Sequence, residues 1–404
     1  MELQILEIIF FLYTLLKIYI SVMQIGFINF EKRREPFLLS SDEYLKAGNY
    51  TVEKEKLNIA STIIEYGLFI YWLRDGLEFL QNSQLINSMG DSVSSLLFVF
   101  GFLTINYIVT LPIELYEKFK IDKKYGFNKS TVKLYIIDQL KGLVLSVLIG
   151  SPLILGVIFF VEHYQLWWLY SFGLIFFFIV FINMVYPTLI APMYNKMQPL
   201  QDEDLNRKIM NLLQGVGFHS SGIFTIDASK RDSRLNAYFG GFGKSKRVVL
   251  FDTLIEKLNH QELLAVLGHE LGHFKNGDIY KNITIMGVVI FSIFALIGNI
   301  PDALYSDLNI EKSGAVLIVL FLLIASVIGF IAMPIMGVIS RHNEYEADKM
   351  GSKLSGSSLY LKEALRKLVV ENRSFPKSHP LYIFFYYTHP PVSERLKELE
   401  KQNV

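Results

Sequence analysis

Apolar runs and basic polar loops alternate along this chain. Seven runs are long enough for a bilayer-crossing helix, which takes about 20 residues. They are Ile5–Ile28, Leu57–Leu80, Val93–Leu115, Leu140–Phe160, Leu166–Ile190, Ile279–Ile300 and Gly314–Met336. The first reads as an uncleaved span, because "MELQILEIIFF" has no basic start and no small-residue cleavage site follows. The loops after spans one and three carry six lysines or arginines each, among them Lys32, Arg33, Arg34, Lys118, Lys120 and Lys123. The loops after spans two and four, "QNSQLINSMGD" and "VEHYQ", carry none. This asymmetry predicts an outside N-terminus, with the polar regions Ala191–Asp278 and Gly337–Val404 in the cytosol. Glu65, Arg74, Asn106 and Asn183 interrupt the spans. Such residues face either a neighbouring helix or a wet interior.

The region after the fifth span changes period. "EDLNRKIMNLLQGVGF" reads as an amphipathic helix ending at Gly215 or Gly217. "GIFTIDAS" and "RVVLFDTLI" have the β-branched and aromatic character of strands. Between them, Gly243-Lys244-Ser245 matches the end of a phosphate-binding loop. The glycine needed five residues earlier is Tyr238, and no strand-to-helix context follows. A hairpin between "NAYF" and "RVVLF" fits better. The chain therefore divides into a five-span membrane domain, residues 1–190, and a second domain, residues 191–404, that includes the last two spans.

Composition agrees with a membrane protein. Of 404 residues, 51% are hydrophobic and 19% are charged, against roughly 25% charged in soluble domains. The net charge of +1 gives no sign of nucleic-acid binding. The absence of cysteine removes disulfides, thiolate nucleophiles and Cys-ligated metals. Any metal site must use His and carboxylate.

Such residues occur in "LLAVLGHELGHFKNGD", Leu263–Asp278. A helix here starts at Asn259, with Glu262 completing a capping box. His269 and His273, at i and i+4, share one face, and two imidazoles so placed can bind one zinc ion at about 2.0–2.1 Å. Glu270 is turned about 100° from His269, too far for an obvious ligand but well placed to take a proton from a water activated by the metal. This is metallopeptidase logic; the bland alternative is two surface histidines on an amphipathic helix. The metzincin extension fails, because Asn276 and Ile279 stand where its Gly and His belong. The best third ligand lies in "SRHNEYEADKMG", Ser340–Gly351, where Glu344 and Asp348 are again i and i+4. Glu344 could bind the metal while Asp348 supports a ligand histidine; Glu346 should face away. Here the alternative is a solvated helix after a membrane span.

Together, His269-Glu270-Leu271-Gly272-His273 and "SRHNEYEAD" resemble the integral-membrane type 1 CAAX prenyl protease family. "YEKFKIDKKYGFNKST" (Tyr116–Thr131) resembles its loop after the third span, "NAYF" (Asn236–Phe239) its strand beside the active site, and "THPPVSERL" (Thr388–Leu396) its C-terminal signature. The shorter heat-shock-associated membrane metalloproteases share the zinc motifs but should lack the "YGFN" loop. The resemblance implies a mainly α fold: seven transmembrane helices around a chamber, with a zincin-like α+β metallopeptidase domain containing a small sheet. It implies one Zn2+ per chain, held by His269, His273 and Glu344. Glu270 would be base and proton donor, and Asp348 would orient a ligand histidine. His389 would hydrogen-bond the oxyanion. Asn236, Ala237, Tyr238 and Phe239 would pair with substrate. Arg395 would either steady that region or bind the substrate's terminal carboxylate.

The function expected is thus a membrane zinc endopeptidase acting on a peptide or protein, with prenylated C-termini as the family's substrate class. It would work at the cytosolic face of an inner or ER membrane. A quality-control zinc protease without a prenyl requirement is the alternative, and a seven-span receptor or transporter the rival from another class.

Overall fold

The computed structural model describes residues 1–241 and 246–401. Gly243-Lys244-Ser245 lies outside the described residues. Seventeen α-helices and four strands follow one another among them, with short π- and 3-10-helical turns between some of them. The N-terminal half contains α1 (Glu2–Glu31), α2 (Ser41–Tyr71), α3 (Leu77–Gln81), α4 (Gln84–Asn87), α5 (Asp91–Tyr116), α6 (Val132–His163), α7 (Trp167–Val185) and α8 (Ala191–Tyr194). The middle contains β1 (Met197–Pro199), α9 (Glu203–Gly215), β2 (Ile223–Ile226), β3 (Ala237–Gly240), β4 (Arg247–Phe251), α10 (Asp252–Lys257) and α11 (His260–Lys275). The C-terminal part contains α12 (Asp278–Gly298), α13 (Asp302–Asp307), α14 (Gly314–Ser355), α15 (Ser358–Glu371), α16 (Pro380–Tyr386) and α17 (Val392–Lys401).

Among the described residues, six helices are long and apolar enough to cross a membrane: α1, α5, α6, α7, α12 and α14. Seven were expected. The remaining predicted span, Leu57–Leu80, is helical, but a π-helical turn at Trp72–Gly76 joins α2 to α3. Asn58, Ser61, Thr62, Glu65 and Arg74 also dilute its apolar character. Outward faces of these helices carry exposed large hydrophobics, such as Leu148, Phe177, Val288 and Ile331. Lipid is the solvent in which such faces are stable.

The polar residues within the spans find protein partners. Lys17 donates to Glu65 at 2.9 Å, and Arg74 pairs with Glu7 through two hydrogen bonds. Asn106 accepts from the Trp72 indole at 3.3 Å. Asn183 bonds its own helix, donating to the Ile179 carbonyl. Three of the four therefore join helices.

The four strands form one sheet in the order β1-β2-β4-β3. β2 and β4 are parallel, and β3 pairs antiparallel with β4 from Ala237↔Leu250 to Gly240↔Arg247, as the hairpin reading expects. α9, α11 and the sheet share a core that includes Leu205, Ile209, Leu213, Val248, Leu250, Leu263, Leu267 and Leu271. α9 ends at Gly215, and Gly217 follows with φ +71°. The left-handed conformation that closes this helix is one glycine adopts without a steric penalty.

Candidate metal centre

α11 begins as its capping signals predict. The Asn259 side chain accepts from the Glu262 amide at 3.0 Å, and Glu262 accepts from the Asn259 amide at 2.9 Å. Leu263, Leu267 and Leu271 bury one face in the sheet-side core. The face with Ala265, Gly268 and Gly272 meets α14 instead. A Cβ on Gly272 would stand 2.7 Å from Ala347 Cα, and one on Gly268 would stand 3.2 Å from Gly351 Cα. From the other side, a Cβ on Gly351 would stand 2.9 Å from the Ala265 carbonyl oxygen and the His269 nitrogen. Small residues on both helices thus let two backbones touch. The glycines make room for a helix.

That contact brings Glu344 to the histidines. α14 is one continuous helix of 42 residues, about 63 Å long at 1.5 Å per residue. It leaves the membrane span and carries Glu344 and Asp348 against α11. His269 Nε2 lies 3.3 Å from His273 Nε2. Glu344 Oε1 lies 3.2 Å from His273 Nε2, and Glu344 Oε2 lies 3.5 Å from His269 Nε2. Ligands bound tetrahedrally at ~2.0–2.1 Å stand about 3.3–3.4 Å apart, so the three side chains already trace one face of a zinc tetrahedron. Glu344 Oε2 is buried and accepts no hydrogen bond. Its nearest charged neighbour is Arg395 Nη1 at 3.4 Å, an ion-pair contact that leaves its hydrogen-bonding capacity unmet, and a bound cation would meet it. Burial works against a charged His273, yet bonds to Glu344 and Asp278 outweigh it and push its pKa to about 9. The residues fit zinc.

The outer ring nitrogens are also held. His269 Nδ1 lies 2.8 Å from Asp348 Oδ1, and His273 Nδ1 lies 2.9 Å from Asp278 Oδ2. Carboxylates so placed fix the tautomer and orientation of ligand imidazoles. Asp278 was missed, although an acidic residue opening the next helix, five positions after His273, was a visible signal. Lys281 in turn donates to Asp278 at 2.7 Å.

A cavity of about 360 Å³ opens beside the centre, lined among others by Asn236, Ala237, His269, Glu270, His389 and Arg395. Burial pushes the Glu270 carboxyl above the ordinary carboxylate range, which suits a base that must also return a proton. His389 Nε2 lies 3.2 Å from Glu344 Oε1, with its side chain 62% exposed to the cavity. Enclosure in the cleft, with Arg395 nearby, holds its pKa below the usual imidazole range. Arg395 is buried, and its fork is committed to Asp348 at 2.8 and 2.6 Å. That favours steadying the centre over binding a substrate carboxylate. Glu346 is exposed, facing away as expected.

Ala237, Tyr238 and Phe239 belong to β3, the end strand of the sheet, and Asn236 immediately precedes it. The preceding segment is braced from two sides. Arg234 donates to Tyr50 at 2.9 Å, pairs with Asp122 at 3.0 Å and stacks over the Phe127 ring at 4.2 Å. Leu235 donates to the Asn372 side chain at 2.9 Å. The "YGFN" loop after α5 therefore fixes the strand beside the metal centre.

Residues 199–403 match Peptidase family M48. Residues 35–196 match the CAAX prenyl protease N-terminal region, five membrane helices. The CAAX prenyl protease 1 homolog of Arabidopsis thaliana is 34% identical over 385 residues, covering 91% of this chain and 89% of that protein. CAAX prenyl protease 1 of Saccharomyces cerevisiae is 33% identical over 397 residues, covering 90% and 86%. The crystal structure of S. mikatae Ste24p matches with a TM-score of 0.87 at 28% identity, over 98% of each chain. A membrane helix bundle, three side chains on α11 and α14 placed to hold a metal, and these matches lead to one conclusion: the chain belongs to peptidase family M48, as an integral-membrane zinc metalloendopeptidase of the CAAX prenyl protease 1 type.

Proposed function

We propose that this protein cleaves prenylated C-terminal peptides at the cytosolic face of its membrane, with His269, His273 and Glu344 as zinc ligands. The observation that carries this reading is one cavity that brings His269 of the ligand triad together with Glu270, His389 and the start of the sheet's end strand. The relatives' names supply the substrate class. The basic loops after α1 and α5 support the orientation. Residues 1–190 would act as membrane platform and residues 191–404 as peptidase domain.

The substrate backbone adds a strand to the free edge of β3, with Asn236, Ala237, Tyr238 and Phe239 fixing its register. When bound, zinc supplies Lewis-acid chemistry, polarising the scissile carbonyl and making water acidic. Glu270 takes the proton from the attacking water as its oxygen bonds to the carbonyl carbon. His389 donates a hydrogen bond to the oxyanion. Glu270 then passes the proton to the leaving nitrogen, and the C–N bond breaks. Asp348 and Asp278 keep the two imidazoles oriented, and Arg395 keeps Asp348 in place.

A farnesylated peptide compared with its unmodified twin tests the substrate class. The farnesylated peptide is expected to be cleaved with kcat/KM at least about tenfold higher, a difference of about 1.4 kcal/mol in transition-state binding. Equal cleavage would instead identify a quality-control protease.

A further inference from the structure

α14 presents Arg341, Glu344 and Asp348 at i, i+3 and i+7, a spacing that places them on one helix face. Glu344 belongs to the metal centre and Asp348 holds Arg395 of α17. Arg341 has no role in the centre itself. Its guanidinium donates to two backbone carbonyls, Ile383 at 3.2 Å and Tyr387, at the C-terminal end of α16. The Ile383 carbonyl already accepts the Tyr387 amide at 3.1 Å, so Arg341 adds a second bond there; at the Tyr387 carbonyl, beyond the last helical turn, the cation supplies a partner that the helix does not. Two residues beyond Tyr387 comes His389, and after it Pro390, Pro391 and α17. The "THPP" segment is therefore held at both ends by one face of the helix that supplies Glu344.

Two further observations support a built clamp. A Cβ on Gly337, one turn before Arg341, would stand 2.8 Å from Arg341 Nη1 and 2.9 Å from the Tyr387 carbonyl oxygen. The glycine leaves the space in which the two groups meet. α16 is also tied to the other helices it reaches. Tyr382 donates to the buried Glu55 of α2 at 2.7 Å, and Gln24 of α1 accepts from the His379 amide at 2.8 Å. α16 has no buried residues of its own. A seven-residue helix without a core of its own relies on such ties for its position.

We propose that Arg341 is a positioning residue: by closing the C-terminal carbonyls of α16, it holds His389 against the metal centre. The inference rests on the oxyanion role given to His389. The chain contains no cysteine, so a spin label at Phe384→Cys reports α16 alone. Arg341→Gln and, independently, Gly337→Ala should increase the label's mobility. They should lower kcat on the order of tenfold, with KM and zinc content nearly unchanged; Arg341→Lys should restore part of kcat. Combining Arg341→Gln with His389→Ala should be no slower than His389→Ala alone, because both remove one function. Unchanged label mobility in Arg341→Gln, or full additivity of the two substitutions, overturns the proposal. A mobile label together with a fully active His389→Ala enzyme supports the clamp and instead overturns the oxyanion role of His389.

Discussion

Glu270→Gln is expected to stop peptide cleavage, with a loss of at least about 10³-fold in kcat, while leaving one zinc per chain. General acid–base catalysis contributes roughly 10²–10⁴-fold, and here one carboxylate both accepts and returns the proton. Glutamine keeps the size and the polar contacts but has no basic oxygen at neutral pH. Glu270 is not among the three side chains that converge as ligands, so metal binding should survive. Burial raises the carboxyl pKa, which makes Glu270 a better base than an exposed glutamate. Cleavage by Glu270→Gln within tenfold of wild type, in zinc-loaded protein, would remove Glu270 from the mechanism.

Gly272→Val is expected to empty the metal centre without touching any ligand. The first carbon alone would sit 2.7 Å from Ala347 Cα, a backbone atom that no rotamer change can move. Relief requires α14 to shift away from α11 by the better part of an ångström. Ala347 is three residues from Glu344 on the same rigid helix, so Glu344 moves with it. Overpacking costs about 1–3 kcal/mol, and the misplaced carboxylate weakens zinc in addition. The expected readouts are zinc well below one per chain, lost cleavage and a lower thermal midpoint. Gly272→Ala should show the same changes in milder form. Full zinc occupancy in Gly272→Val would show that the approach of the two helices does not set the site.

What the sequence revealed depended on distance along the chain. His269, Glu270 and His273 lie within one helix, and their chemistry follows from its 3.6-residue period. Glu344 and Asp348 also announced themselves locally, by spacing, although 71 residues separate His273 from Glu344 (344 − 273). The apolar runs identified the spans for a similar reason. Leu57–Leu80 was less legible, because α2 begins at Ser41 and its polar first half merges with the span. β1, only three residues long, is too short for any alternation to stand out. The remaining omissions are tertiary. Nothing in "HELGH" tells that Gly272 faces Ala347, and nothing in "SRHNEYEAD" tells that Arg341 reaches the end of α16. Asp278 is the exception: an acidic residue five positions after His273 was visible in the sequence, and only its contact with the His273 ring is tertiary. Arg395 was named with two roles, and its burial beside Asp348 could not be foreseen from spacing.

The central claim is that a residue from α14, beyond the last membrane span, completes the zinc site begun on α11. Zinc per chain, measured by inductively coupled plasma mass spectrometry on purified wild type and Glu344→Ala, tests it most directly. Even residues that only support metal ligands are worth about 10–100-fold in affinity, so loss of a ligand should exceed that. The expected result is one zinc per wild-type chain and almost none in Glu344→Ala after dialysis against a weak chelator. One zinc retained equally by both proteins would contradict the account.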